Sequence, residues 1–163
     1  MTLEDMLVER MVKELKAHGH SITSQRIMIF RALARRRDHP TAEALYEQLV
    51  QDHVPELSLA TVYKNLHVFE ELGLVRAVAS PDGKTRFDVP ITPHHHLFCT
   101  RCGVMVDVED GVRVAMDPHL EEKLGFEVTG VEVLVEGICG SCRTSQGGAR
   151  GWREARRQRK LSS

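Results

Sequence analysis

Residues 58–89 read SLATVYKNLHVFEELGLVRAVASPDGKTRFDV, and this stretch decides the fold of the first half of the chain. Ser58 is a helix N-cap: its hydroxyl can accept a hydrogen bond from amides left unpaired in the first turn. Val62, Leu66 and Phe69 recur at helical spacing and form one apolar stripe. Gly73 stops the helix. Leu74–Val78 and Thr85–Val89 read as two strands, and Ser80-Pro81-Asp82-Gly83 between them is a turn. Helices that run into such a hairpin predict a winged helix-turn-helix.

Upstream, Leu3, Met6, Leu7, Met11 and Leu15 predict an amphipathic helix over 3–17, ended by His18-Gly19-His20. Thr23 or Ser24 caps a second helix with Ile27, Ile29, Phe30 and Leu33 on its apolar face. Arg35-Arg36-Arg37-Asp38-His39-Pro40 is a polar break, its arginines open to phosphate or to solvent. Thr41 caps a third helix that turns Ala44, Leu45 and Leu49 inward.

After Pro93 the pattern changes. Val104–Val108 reads as a strand. Asp117-Pro118 supplies an N-cap and a first-position proline for a helix that closes at Gly125. Phe126–Ile138 alternates with a break at Gly130, which predicts one long strand or a bulged one. The expected class is α+β, with a winged-helix domain at 1–90 and a small α+β domain at 91–143. The Gly-, Arg- and Ser-rich segment 144–163 is expected to be disordered.

Of the 163 residues, 42% are apolar and 28% charged, as in an ordinary globular protein. No apolar run approaches the ~20 residues of a membrane span. The first residues carry early acids and no basic stretch, so a cytoplasmic, reducing setting is expected, where cysteines bind metal more often than they form disulfides. Charge is unevenly spread. Residues 81–142 hold 5 Lys/Arg against 11 Asp/Glu, whereas residues 143–163 hold 7 against 1. The acidic middle suits a cation site. The basic tail suits a polyanion or solvent.

The four cysteines form two C-x-x-C pairs, Cys99/Cys102 and Cys139/Cys142. Each pair can turn two thiolates toward one ion, and two pairs complete a tetrahedral sulfur shell that favours zinc in a structural role. The 36 residues between the pairs require a strand, a helix and a strand. Gly103 and Gly140 stand where the knuckles need tight turns. Just before Cys99 comes His94-His95-His96. In an extended strand His94 and His96 share a face and can approach one ion while His95 points away. Asp88 and Asp107 can reach the same place if the hairpin folds over, and His39 lies in the break between two helices. A polar loop with solvated aspartates is the plainer reading of the same residues. A metalloenzyme or a zinc-storage protein is a further alternative, but no acid/base pair, cofactor motif or nucleotide loop accompanies the histidines.

The chain resembles the Fur superfamily of metal-dependent repressors. The matching segments are Thr23-Ser24-Gln25-Arg26, His39-Pro40-Thr41-Ala42-Glu43, Leu59-Ala60-Thr61-Val62-Tyr63-Lys64-Asn65-Leu66, Gly73-Leu74-Val75, Arg86-Phe87-Asp88, His94-His95-His96 with Cys99-x-x-Cys102-Gly103, and Cys139-x-x-Cys142, in family order. The resemblance implies a homodimer held by the second domain and bound to a palindromic double-stranded DNA operator. It implies structural Zn(2+) on the four cysteines and regulatory Fe(2+) or Mn(2+) on His39, Asp88, His94, His96 and Asp107. Aspartates at 88 and 107 make the chain similar to the peroxide-sensing PerR subgroup, in which ligand histidines, here His39 and His94, are oxidised. Glutamates are usual in iron-responsive members, which remain the alternative. Pro93 and His95 replace the residues of a further metal site found in many members, so that site is expected to be absent or altered.

On the fourth helix, Tyr63 resembles the family residue that touches thymine methyl groups, and Ser58, Thr61 and Lys64 are placed for phosphate or base contacts. The plainer reading of Tyr63 is partial burial with its hydroxyl bound to a neighbour.

Overall fold

The computed structural model describes residues 1–54 and 56–144. It divides into two compact units, Met1–Ile91 and a second that starts at Thr92. The expected tail lies, from residue 145, outside the described residues.

The first unit opens with four helices, α1 (Leu3–Ala17), α2 (Ser24–Ala34), α3 (Ala42–Gln51) and α4 (Leu59–Glu71). Each begins as the local chemistry dictates. The hydroxyls of Thr2, Thr23, Thr41 and Ser58 accept from the amides of Asp5, Arg26, Ala44 and Thr61 at 3.1–3.2 Å. Thr2 and Asp5 also complete a reciprocal capping box. The apolar stripes meet in one core that includes Met11, Leu15, Ile29, Phe30, Leu45, Val62, Leu66 and Phe69. Phe30 and Phe69 pack edge to face, with ring centroids 5.3 Å apart.

Gly73 ends α4 at φ 64, in the left-handed region that a helix stop uses. The hairpin is β1 (Arg76–Ala79) and β2 (Thr85–Asp88), antiparallel with Ala77 opposite Phe87. The first strand starts two residues later than its sequence pattern suggests. Leu74 and Val75 instead give their amides to the Phe69 carbonyl, at 2.8 and 3.2 Å, and are buried under the end of α4. This is the winged helix-turn-helix expected from the sequence.

The second unit holds β3 (His95–Cys99), β4 (Met105–Val108), α5 (Leu120–Leu124), β5 (Leu134–Gly137) and α6 (Gly140–Thr144). Strand order is β4-β3-β5, with β3 antiparallel to β4 and parallel to β5. The segment between the cysteine pairs is thus strand, helix and strand. Three local expectations need correction. The long strand over Phe126–Ile138 shrinks to Leu134–Gly137, because β3 offers it only four register partners. Upstream of it, the Val128 amide turns to the Glu121 side chain at 2.8 Å. The Asp117-Pro118 start yields one preliminary turn, in which Asp117 accepts from the His119 amide, before α5 begins at Leu120 with His119 as N-cap. Gly103 does take the left-handed turn, at φ 75, but Gly140 opens α6 with no positive φ.

No helix among the described residues is long and apolar enough to cross a membrane. Phe69→Ala removes a fully buried ring and its edge-to-face partner contact. The expected loss is about 3–5 kcal/mol from the stability of the first unit. A fall in the urea midpoint of tyrosine fluorescence reads it, since both tyrosines, Tyr46 and Tyr63, lie in that unit.

Candidate metal centres and nucleic-acid surface

The four thiols converge because β3 and β5 run side by side. Cys99 ends β3 opposite Gly137, and the Thr100 amide bonds the Gly137 carbonyl at 2.8 Å. Cys102 follows across the tight turn, while Cys139 and Cys142 flank the start of α6 and its first turn. The four Sγ atoms lie within 4.8 Å of one another, and Cys102 and Cys139 are 3.7 Å apart. Zinc–sulfur bonds of about 2.3 Å in a tetrahedron require sulfurs about 3.8 Å apart, so this set fits zinc. The Cys139 amide donates to the Cys99 sulfur at 3.3 Å, and Arg101 ties the loop by donating to the Cys142 carbonyl at 2.6 Å. Burial would raise the Cys99 thiol, but backbone hydrogen bonds, led by that of Cys139, bring it down to about 6. Its crowded neighbour Cys142 is pushed up to about 12, first by hydrogen bonding to Cys139. Four thiolates this close repel one another, and a divalent cation relieves the conflict.

A second donor set lies on the same sheet. His96 on β3 stands opposite Asp107 on β4. The Nε2 atoms of His94 and His96 are 3.1 Å apart, and Asp107 Oδ1 lies 3.5 Å from the first and 3.8 Å from the second. Three atoms bound to one ion at about 2.1 Å would be spaced about 3.0–3.4 Å. The tautomers matter here. His94 Nδ1 is 2.8 Å from the Thr92 carbonyl, and His96 Nδ1 is 2.9 Å from the Glu132 carboxylate. The Thr92 carbonyl only accepts, which assigns a proton to His94 Nδ1, whereas Glu132 approaches His96 Nδ1 at ion-pair distance without an aligned hydrogen bond. Two imidazole nitrogens and a carboxylate oxygen face one point, which suits a divalent cation.

In the first unit, His39 is buried at φ 50, a left-handed conformation uncommon for a residue with a side chain. Strand β2 holds it there. Arg86 donates to the His39 carbonyl at 3.3 Å, and the Phe87 amide donates to the Pro40 carbonyl at 2.9 Å. His39 Nε2 lies 3.8 Å from Asp88 Oδ1, and Arg76 lies 3.5 Å from the other Asp88 oxygen. The five expected ligands therefore fall into a pair in the first unit and a trio in the second.

On α4, Tyr63 and Lys64 are exposed, while the Ser58 and Thr61 hydroxyls meet each other at 2.8 Å within the cap. The Tyr63 hydroxyl donates to Glu43 at 2.5 Å and the residue remains 45% exposed, the partial burial and bound hydroxyl of the plainer reading. That bond lowers the Glu43 carboxyl and raises the Tyr63 phenol. The two residues line a cleft of about 510 Å³ with Thr41, Lys84, Thr85 and Phe87, between the helices and the hairpin. In the arginine run, Arg35 pairs with Glu4 at 2.8 Å and Arg36 with Asp38 at 2.5 Å. Sequence reasoning missed Glu43 and Glu132. Glu43 sits in the quoted His39–Glu43 segment, but nothing local links it to Tyr63. No sequence signal marks Glu132.

Comparison with known proteins gives one consistent result. The model of the ferric uptake regulator family matches residues 17–136. The peroxide-responsive repressor PerR of Staphylococcus aureus is 33% identical over 136 residues, covering 83% of this chain and 91% of that protein. The peroxide stress regulator of Campylobacter jejuni superposes with a TM-score of 0.57 at 30% identity, covering 87% of this chain and all of that one. The Vibrio cholerae ferric uptake regulator gives 0.64 at 28% identity, over 78% and 98%.

Cys102→Ser removes one corner of the sulfur tetrahedron. The purified variant is expected to lose its tightly held zinc, read by elemental analysis, and to lose the cooperative unfolding of the second unit. Retention of one zinc per chain would show that the sulfur cluster is not the zinc site.

Proposed function

The chain belongs to the ferric uptake regulator family and is a metal-responsive regulator rather than an enzyme; from that premise we propose that it is a cytoplasmic, PerR-like repressor. In this reading it binds a palindromic operator as a homodimer, with Fe(2+) or Mn(2+) as corepressor. The observation that carries the reading is the trio His94, His96 and Asp107, whose two Nε2 atoms and one carboxylate oxygen lie 3.1–3.8 Å from one another. Imidazole and carboxylate donors without thiolate suit Fe(2+) or Mn(2+) more than zinc.

His39 and Asp88 complete a five-donor set. Because these two ligands belong to the DNA-binding unit, the ion favours the hinge angle at which all five donors converge, and it shifts the population toward that state. Ser58, Thr61, Tyr63 and Lys64 on α4 then meet the major groove. Glu43, through its bond to the Tyr63 hydroxyl, aims the ring. Arg35 and Arg36, already paired with acids, are left out of this interface.

Homodimer formation is supported by an apolar row on the second unit. Val106, Leu97 and Val135 stand in register across the three strands and are all exposed, as is Phe126. Among the unit's described residues few are buried: His96, Phe98, Cys99, Thr100 and Met105. So small a core calls for a staple and a second copy.

Ferrous iron, when bound, supplies the one-electron chemistry that cleaves peroxide. His39 and His94 are the rings that take up oxygen, and a ring so modified no longer serves as a neutral nitrogen donor. The set then loses an arm and the DNA-binding hinge slackens. The short aspartate side chains at 88 and 107 favour this reading over iron-responsive repression.

The test uses the full chain and a duplex selected from random sequence. Mn(2+) is expected to tighten DNA binding at least tenfold over chelator-treated protein, and Asp107→Ala to abolish that gain. With Fe(2+), peroxide is expected to release the DNA and to add 16 mass units to a histidine peptide. Iron-dependent binding that survives peroxide unmodified would identify an iron-responsive repressor instead. Binding indifferent to both metals would overturn the proposal.

A further inference from the structure

We propose that Glu132 is the positioning residue that sets His96 in its metal-ready tautomer and strengthens it as a ligand; this deepens the regulatory-metal reading above and rests on it for its metal half. His96 is fully buried at the centre of the sheet, and its ring has two faces of chemistry. Nε2 points to His94 and Asp107. Nδ1, on the other side, meets Glu132 Oε1 at 2.9 Å.

The backbone places Glu132 there. It precedes β5, in a segment clamped to β3 by two hydrogen bonds: the His96 amide to the Val133 carbonyl at 3.0 Å, and the Val133 amide to His95 Nδ1 at 3.2 Å. The second of these also gives His95 a task apart from the trio, since it faces the opposite side. The carboxylate is 37% exposed while it touches a buried ring.

The two histidines are oriented by different means. His94 gives its Nδ1 proton to a neutral carbonyl within its own loop, two residues away. His96 Nδ1 instead faces, at 2.9 Å, a carboxylate from the segment before β5. A carboxylate behind an imidazole fixes ring and tautomer and makes the far nitrogen a better donor. Without it, the proton on His96 is free to move to Nε2 and block the site.

The experiment uses the full chain with its cysteine-bound zinc in place, as wild type, Glu132→Gln and Glu132→Leu. Long-range proton–nitrogen-15 spectra of the imidazole rings in protein free of added metal read the His96 tautomer. Titration with Mn(2+), followed by the resonance of free Mn(2+), reads affinity. Wild type is expected to show Nδ1–H at His96. Glu132→Gln, which keeps an acceptor, should retain that tautomer with intermediate affinity. Glu132→Leu should lose the tautomer and weaken Mn(2+) binding about 10–100-fold, with zinc content unchanged.

A wild-type His96 protonated at Nε2, alone or at both nitrogens, overturns the inference without any variant having to fold. So does a Glu132→Leu chain that keeps both the tautomer and wild-type affinity. A wild-type chain that takes up no Mn(2+), yet loses its Nδ1–H tautomer on Glu132→Leu, upholds the positioning role and removes the regulatory metal instead.

Discussion

The second unit depends on the crowding of four sulfur atoms at one edge of a three-stranded sheet. Few side chains are buried there, and the sheet's outer row of valine and leucine faces away from any core of its own. What holds β3 beside β5 is a parallel ladder of four positions and, at its end, the paired knuckles. Thiols so close cannot all ionise without a cation between them. The same crowding that disfavours four thiolates alone favours a cation among them, which would couple metal binding to the folding of this unit.

The nitrogen and oxygen donors follow a different logic. Their geometry comes from what stands behind them: a backbone carbonyl for His94, a carboxylate for His96, and the antiparallel register with β4 for Asp107. In the first unit His39 is likewise held from behind, by Arg86 and the Pro40 carbonyl contact, in a backbone conformation it would not choose alone. Each of these side chains has its orientation imposed by its neighbours, so a cation bound there would meet donors already ordered.

Much of this was legible in the sequence because it is local. A hydroxyl three residues before a free amide caps a helix wherever it occurs, so three helix starts are legible at Thr23, Thr41 and Ser58. Paired C-x-x-C and H-x-H spacings are local in the same sense. The failures are non-local. Leu74 and Val75 look like strand residues until the end of α4 claims their amides. Phe126–Ile138 alternates like a strand, but a strand extends only as far as its neighbour does. Glu132 is one acid among 23, and only the parallel pairing of β3 with β5 brings it to a histidine 36 residues earlier. Glu43 meets Tyr63 across two helices for the same kind of reason.

That parallel pairing has one more consequence. Cys99 and His96 sit three positions apart on a single strand, one serving sulfur chemistry and the other nitrogen chemistry, and both are read against β5. Side chains alternate along a strand, so a slip of one residue would turn His96 to the opposite face and carry Glu132 out of reach. The knuckles thus act as a gauge: the sulfur end counts residues for the nitrogen end. An insertion between the two, tolerable to either site taken singly, would put them out of step.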